Sequence, residues 1–261
     1  MSNHHEEYPE EFVKGLEWIW GAGFMSPGGP AEVAAIVQGV DLSNNRVLDI
    51  GCGIGGIDVL LVKEHGAAHV VGIDVEELLT TRAQALVEHE RLTEQITIQL
   101  VEPGPLGFDE GTFDAVFSKD SIIHIPDKRA IYSDIFRVLK PGGRLAFSDW
   151  YGSHLPKTTE FEQWFKVVGL TFDMGTVEEA AQLLEEIGFV DVEYEDRNSW
   201  YAQNILEEMA AIEDGENYAK LEEHLGKEWA AQRLKSSSLK KQVVDQGLLR
   251  PGHIRARKPR E

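Results

Sequence analysis

Short apolar runs alternate with segments of helical spacing along the middle of the chain. Between them, apolar residues recur at helical intervals, as at Ile131, Ile135, Val138 and Leu139, and the Lys-Pro-Gly-Gly run at 140–143 is expected to end that helix. This alternation predicts right-handed βαβ crossovers and a parallel sheet with helices on both faces. The apolar runs predict buried strands at Arg46–Ile50, His69–Asp74, Ile96–Val101, Phe113–Ser118 and Arg144–Asp149.

The alternation gives way to a helical pattern after residue 149. Thr176 and Glu179 form a capping-box pair at the start of a helix that Gly188 ends. The pattern then predicts a strand at Val190–Tyr194, a helix-rich stretch from about Tyr201 to Gln246, and a last strand at His253–Lys258.

Together these patterns predict one α/β domain over residues 1–261, built on a seven-stranded, mostly parallel Rossmann-like sheet. Residues 42–200 form its core, and residues 201–261 supply a helical insertion followed by the last strand. Residues 1–41 carry many large apolar side chains, so this segment is expected to pack on the core as an N-terminal helical cover.

Charge and composition narrow the class of protein. With 25 Lys and Arg against 45 Asp and Glu, the net charge is −20, which argues against a nucleic-acid partner. The sequence shows no apolar run of about 20 residues and no leader pattern, so no membrane partner is expected. The protein is expected in the cytoplasm, as a monomer or homodimer. A lone cysteine, Cys52, excludes an intrachain disulfide and a thiolate zinc cluster, and no metal site is expected.

A glycine-rich turn follows the first predicted strand. Residues 47–56 read Val-Leu-Asp-Ile-Gly-Cys-Gly-Ile-Gly-Gly, and glycines in such a turn let the backbone approach a ligand closely. Gly51, Gly53 and Gly56 also match the G-x-G-x-x-G fingerprint of dinucleotide sites, with Asp74 near the position of the ribose-binding acid. The turn alone therefore leaves an NAD-dependent oxidoreductase open.

Asp49 favours a different ligand. A carboxylate two residues before the first glycine would lie near the pyrophosphate of a dinucleotide, where it repels. It suits a ligand with positive charge, such as S-adenosylmethionine, which has an ammonium and a sulfonium and no phosphate. Asp74 ends the second strand, where it can accept the ribose hydroxyls, and Glu102 ends the third, where it can accept the adenine amino group. A module that binds this cofactor without catalysis is a further alternative.

These residues resemble the class I S-adenosylmethionine-dependent methyltransferases, and the resemblance covers nearly the whole chain. Within that class the chain is similar to two groups of small-amine N-methyltransferases. The phosphoethanolamine (phosphobase) enzymes share Gly28-Gly29, the Phe-Ser-Lys-Asp-Ser-Ile-Ile-His run at 117–124, and the Leu-Lys-Pro-Gly-Gly run at 139–143. The sarcosine/dimethylglycine enzymes share the Asp120–His124 stretch and the Met-Gly-Thr run at 174–176.

Amine methylation calls for a proton acceptor, because an amine attacks only when it is neutral. A histidine, with an unperturbed pKa of about 6.5, can take that proton, and His124 follows the end of the fourth strand. The resemblance implies that Asp120 holds the amine and that Tyr8 pairs with His124, which latches the N-terminal helix over the site. It implies a cofactor site formed by Met25, Ser26, Asp49, Gly51, Gly53, Asp74, Val75, Glu102, Pro103 and Lys119.

Pro103 departs from the family pattern. The family places a residue there whose backbone N–H bonds an adenine ring nitrogen, and proline has no N–H. Either Gly104 supplies the donor, or the Glu102 carboxylate and packing hold the adenine.

The methyl acceptor is the least determined part of the site. Trp150 is expected near the acceptor at the end of the fifth strand, and Lys240 aligns with a phosphate-contacting lysine of the phosphobase enzymes. Trp164 and Val168 stand where those enzymes have a tyrosine and an arginine, so Arg197 or the arginines of the C-terminal tail are alternatives for binding an anion. The acceptor therefore stays open between a phosphoethanolamine-like and a glycine-, sarcosine- or dimethylglycine-like amine, with O- or C-methylation as the alternative.

Overall fold

The computed structural model describes residues 8–168 and 174–260. Its centre is a seven-stranded sheet in the order β3-β2-β1-β4-β5-β7-β6. The pairs among β1 to β5 are all parallel, and β7 runs antiparallel to both of its neighbours, which confirms the mostly parallel sheet. The strands are β1 (Arg46–Ile50), β2 (His69–Asp74), β3 (Ile96–Leu100), β4 (Phe113–Lys119), β5 (Leu139–Tyr151), β6 (Val190–Asp196) and β7 (Arg250–Arg257).

Helices cover both faces of this sheet and the carboxyl edge of its parallel strands. They are α1 (Glu10–Trp20), α2 (Gly29–Ile36), α3 (Gly56–Lys63), α4 (Glu77–His89), α5 (Lys128–Val138), α6 (Thr159–Val168), α7 (Val177–Ile187), α8 (Asn198–Glu213), α9 (Gly215–Leu225) and α10 (Lys227–Asp245). The last three lie between β6 and β7, which confirms the predicted helical insertion. Within the described ranges, every helix is too short or too polar to cross a bilayer.

The alternation of side chains along the strands divides the core into two layers. Val47 and Val70 pack into one apolar cluster with Ile36 of α2, and their neighbours Leu48 and Val71 pack into another on the opposite face. Both faces of the central strands are therefore buried, which explains why their sequences read as continuous apolar runs.

The helices around the insertion have an apolar cluster of their own. Phe161 and Trp164 of α6 pack with Tyr201 of α8 and with Leu239 and Val243 of α10. This cluster lies next to the end of β5, because Trp150 packs against it. The insertion is therefore placed where it can wall a site at the carboxyl edge of the sheet.

Two strands begin earlier than predicted. β5 starts at Leu139 instead of Arg144, since α5 ends at Val138 and the chain pairs at once with β4, with a register shift between Phe113 and Ala115. β7 starts at Arg250 because residues 250–252 pair with the end of β5 in spite of the Pro-Gly sequence that is typical of a turn.

The predicted capping box is confirmed. The Thr176 hydroxyl accepts the N–H of Glu179 at 3.2 Å, and the Glu179 carboxylate accepts the N–H of Thr176 at 2.8 Å. Gly188 ends α7 in the left-handed conformation, with φ of 117°.

Candidate functional site

A cavity of about 1140 Å³ opens at the carboxyl edge of the parallel strands. Phe12, Leu16 and Trp20, spaced one turn apart along α1, form part of its wall, so this helix covers the opening. Among the predicted site residues, all but Asp49 line this one cavity. They are Tyr8, Met25, Ser26, Gly51, Gly53, Asp74, Val75, Glu102, Pro103, Lys119, Asp120, His124, Trp150, Trp164 and Lys240.

The glycine turn between β1 and α3 forms the floor. Gly51 has φ of +76°, and a Cβ atom there would lie 2.0 Å from the hydroxyl oxygen of Ser121. The N–H of Gly53 donates to Asp74 Oδ2 at 2.9 Å, and the N–H of Glu76 donates to Asp74 Oδ1 at 3.1 Å. The carboxylate at the end of β2 therefore fixes the turn, and burial raises the pKa of Asp74.

Asp49 lies behind this turn and not on the cavity wall. It is 1 % exposed, and neither of its carboxyl oxygens has a hydrogen-bond partner within the described chain. The same is true of Asp58 in the first turn of α3, which is 0 % exposed. Burial and the nearby Asp74 raise the pKa of Asp49 to about 8, and burial and Asp49 raise the pKa of Asp58. Asp49 does not line the cavity, and its predicted contact with the ligand remains a prediction.

The segment after β3 lines one end of the cavity from Val101 to Leu106. Arg137 of α5 holds this segment, since its guanidinium donates to the carbonyl oxygens of Leu106 and Phe108 at 2.8 and 2.5 Å. Asp134 accepts from the N–H of Leu106 and from Arg137. No sequence signal indicates this anchor, because its two residues are spaced like an ordinary ion pair on a helix surface.

Polar side chains form a network at the end of β4. Lys119 Nζ donates to Ser26 Oγ at 2.6 Å and to Asp120 Oδ2 at 2.7 Å, and Ser148 Oγ donates to Asp120 Oδ1 at 3.1 Å. Asp120 has φ of +57°, a conformation that few non-glycine residues adopt. Asp120 lines the cavity, and Lys119 and Ser148 hold its carboxylate in place.

His124 lies on a short 3₁₀ turn over Ile122–His124 and faces the N-terminal cover. Its Nε2 atom is 3.1 Å from the Tyr8 hydroxyl, and the two rings meet edge to face at 6.2 Å. Lys128 fixes the turn, because its ammonium donates to the carbonyls of Ile122 and Ile123. Burial, with a smaller contribution from Lys128, lowers the pKa of His124, so the imidazole is neutral near pH 7 and can accept a proton.

The far end of the cavity carries aromatic rings and two cations. The ammonium of Lys240 lies 4.3 Å from the centre of the Trp150 ring and 4.7 Å from that of Tyr201. Burial lowers the pKa of Lys240 to about 8. Arg233 also lines the cavity, and its guanidinium lies 5.1 Å from the centre of the Trp20 ring. Sequence reasoning missed Arg233, although its spacing of seven from Lys240 places both on one face of a helix.

The arginines considered as alternatives lie elsewhere. Arg197 pairs with Glu32 at 2.8 Å, Arg257 pairs with Asp191 at 2.7 Å, and Arg255 donates to the carbonyl of Ile36 at 2.8 Å. These contacts join the start of α8 to α2, and β7 to α2 and β6, and none of the three arginines lines the cavity.

The chain is similar to known methyltransferases. The sequence profile of a family described as "Methyltransferase domain" matches residues 41–221. Phosphoethanolamine N-methyltransferase 1 of Arabidopsis thaliana is 32 % identical over 208 residues, which are 79 % of this chain and 41 % of that one. The phosphoethanolamine N-methyltransferase of Plasmodium falciparum is 30 % identical over 226 residues, which are 83 % of this chain and 81 % of that one. The chain thus spans about 41 % of the Arabidopsis relative and most of the Plasmodium one.

A solved structure agrees over almost the whole fold. Phosphoethanolamine N-methyltransferase 2 of Haemonchus contortus, in complex with phosphomonomethylethanolamine and S-adenosylhomocysteine, superposes with a TM-score of 0.90 at 26 % identity. The match covers 98 % of this chain and 59 % of that one.

Proposed function

This chain belongs to the methyltransferase family, and from that premise we propose that it transfers a methyl group from S-adenosylmethionine to the nitrogen of a small, phosphoethanolamine-like amine. The relatives that carry this activity in their names, and the Haemonchus complex, support the choice of acceptor. The observation that carries the proposal is one cavity with a neutral His124 at one wall and Lys240 at another.

The chain's own residues fit this cofactor. Gly51 and Gly53 leave room where a side chain would fill the floor, and Asp74 and Glu102 present carboxylates to a ribose and an adenine amino group. Lys119 supplies a positive charge for the carboxylate of the methionine part. When bound, the cofactor supplies an electrophilic methyl group. Met25, Ser26, Val75 and Pro103 complete the proposed contacts.

His124 is the proposed proton acceptor. A primary amine is mostly protonated near pH 7, and the neutral imidazole can take its proton before the nitrogen attacks. Tyr8 contacts Nε2 of this ring and so ties the position of the N-terminal cover to the base. Asp120 offers a carboxylate that accepts an N–H of the amine and orients its lone pair.

Lys240 is proposed to contact the phosphate of the acceptor, and Trp150 and Trp164 to face its ammonium group. Ring faces attract a methylated ammonium by about 0.5–2 kcal/mol each. The aromatic pair therefore favours acceptors whose nitrogen already carries methyl groups, which suits repeated methylation of one amine.

The test is methyl transfer from labelled S-adenosylmethionine to a panel of amines, detected by mass spectrometry. The panel contains phosphoethanolamine, its mono- and dimethyl forms, ethanolamine, glycine, sarcosine and dimethylglycine. We expect labelled products from the phosphorylated amines, loss of product in His124→Gln, and normal turnover in His89→Gln, which alters an exposed histidine. Methylation confined to the glycine series, or none with the cofactor bound, would overturn the proposed acceptor.

We also propose that the protein is cytoplasmic and acts as a monomer or homodimer without a nucleic-acid partner. The net charge of −20 and the buried free thiol of Cys52 support this environment. Light scattering of the purified protein measures the oligomeric state directly.

A further inference from the structure

We propose that Arg233 is a specificity-determining residue that binds the phosphate of the acceptor together with Lys240. The inference rests on the proposed function, since it concerns the acceptor end of the same cavity. It makes α10, in the helical insertion, the element that selects a doubly charged phosphate over a singly charged carboxylate.

Both cations project from one face of α10. Arg233, Ser236 and Lys240 line the cavity, and their spacing of three and four brings them into one row along the helix. Trp150 of β5 and Trp164 of α6 line the same cavity, and the Lys240 ammonium lies 4.3 Å from the centre of the Trp150 ring. An anion between these walls would meet a guanidinium, a hydroxyl and an ammonium on one side.

The Arg233 side chain is restricted in position, and at least one of its N–H donors is not used in a hydrogen bond. Its guanidinium stacks on the Trp20 ring at 5.1 Å, which restricts its orientation. Its Nε atom is buried without a hydrogen-bond partner, and no carboxylate of residues 8–168 or 174–260 lies within ion-pair distance of the group. A buried N–H without an acceptor is costly, so a ligand oxygen there relieves an existing deficit.

The positive charges of Lys240 and Arg233 also lack an ion-pair partner among the described residues. Lys240 rests on aromatic rings and forms no ion pair in the described part of the chain. Glu208 of α8 is the carboxylate with the largest effect on the pKa of both Arg233 and Lys240. It already accepts the indole N–H of Trp20 at 2.9 Å. Asp120 acts more weakly on Lys240 and already pairs with Lys119 at 2.7 Å, so Glu208 is the principal carboxylate for both cations.

A phosphate monoester matches the charge and the donors of Arg233 and Lys240 better than a carboxylate does. Near neutral pH it carries up to two negative charges, and its three terminal oxygens can accept from both cations at once. A planar guanidinium donates two parallel N–H bonds to a phosphate, whereas an ammonium offers a single charge point. Arg233 would therefore add directional recognition to the charge of Lys240.

The experiment compares binding and turnover in Arg233→Gln, Arg233→Lys and a control, Lys235→Gln, which removes an exposed cation two residues away on the same helix. Binding of phosphoethanolamine is measured by calorimetry with S-adenosylhomocysteine present. We expect Arg233→Gln to weaken it by about tenfold to a hundredfold, Arg233→Lys by less, and Lys235→Gln to leave it unchanged. Binding of S-adenosylhomocysteine should be the same in all four proteins, and any turnover of ethanolamine should not fall.

The outcomes separate the two proposals. If the natural protein binds phosphoethanolamine but does not methylate it, the proposed function fails, and the role of Arg233 is still decided by the binding series. If Arg233→Gln binds phosphoethanolamine as tightly as the natural protein, Arg233 is not the phosphate contact, even though methylation stands. Failure of the natural protein to bind phosphoethanolamine would also overturn the inference. Should Arg233→Gln fail to fold, natural affinity in Arg233→Lys would contradict it.

Discussion

At the scale of single residues, the surroundings of His124 set the protonation state of the proposed base. Burial disfavours the imidazolium, and Lys128 adds a positive charge nearby, while Asp74 and Asp120 act in the opposite direction. The balance lowers the pKa of His124, so the neutral form dominates at physiological pH. The ring can therefore accept a proton as soon as an acceptor amine arrives.

We predict that the pKa of His124 lies below the ordinary 6.5. Because the base must be unprotonated, turnover at saturating substrate should remain high at neutral pH and fall only below that value. Replacing Lys128 by glutamine removes a positive charge and should raise the pKa. Nuclear magnetic resonance titration of the ring measures this, with the signal assigned by its absence in His124→Gln. A pKa at or above 6.5 in the natural protein would contradict the prediction.

Two residues show what sequence alone does not determine at this scale. The sequence marks Asp49 as unusual, but it does not show that this carboxyl is buried and absent from the cavity wall. Arg233 lies on a helix with charged residues on several sides, and its spacing from Lys240 puts both on one face without showing that this face is buried. That face is fixed by packing against α6 and α8, which is set by tertiary contacts.

At the scale of elements, the glycine turn allows a controlled test. Gly51 and Gly39 have nearly the same φ, +76° and +78°, but a Cβ atom at Gly51 would meet Ser121, while one at Gly39 would have open space within 4 Å. We predict that Gly39→Ala costs about 1 kcal/mol of unfolding free energy, the conformational penalty alone. Gly51→Ala should cost more and abolish cofactor binding. Urea unfolding and calorimetry measure both, and equal effects would show that the close approach is unimportant.

The anchor between α5 and the segment after β3 leads to another prediction. Arg137→Met removes donors from two carbonyls and should loosen the segment that carries Glu102. We expect KM for S-adenosylmethionine to rise about tenfold, with kcat at saturation nearly unchanged. Arg129→Met, which removes an exposed arginine of the same helix, is the matched control. A fall in kcat with unchanged KM would show that the anchor does not position the cofactor.

Strands β1 to β4 follow the sequence pattern to within about a residue, because burial on both faces leaves continuous apolar runs. The early starts of β5 and β7 do not follow it. Proline and glycine at these positions indicate a turn locally, and only pairing with a neighbouring strand overrides that preference. The sheet order beyond β5 likewise depends on long-range pairing, which no local pattern records.

At the scale of the whole molecule, the buried carboxyls beneath the glycine turn affect stability. The pKa of Asp49 rises from 3.8 to about 8 on folding, so the native state keeps a proton that the unfolded chain releases. Stability should therefore decrease as pH rises between these values. We predict that Asp49→Asn flattens this decrease in a thermal unfolding series from pH 5.5 to 8.5. Asp109→Asn, an exposed control, should leave it unchanged, and an unaltered slope in Asp49→Asn would refute the assignment.

The position of β7 has a consequence for how the protein is made. β6 does not pair with β5, because β7 lies between them in the sheet. In the chain, β7 follows β6 by roughly fifty residues. At about 5–20 residues per second, a ribosome needs several seconds to add that stretch. During this interval β6 has no edge on which to dock, and β5 exposes its own. Shielding of the nascent chain would therefore matter most in this window of synthesis.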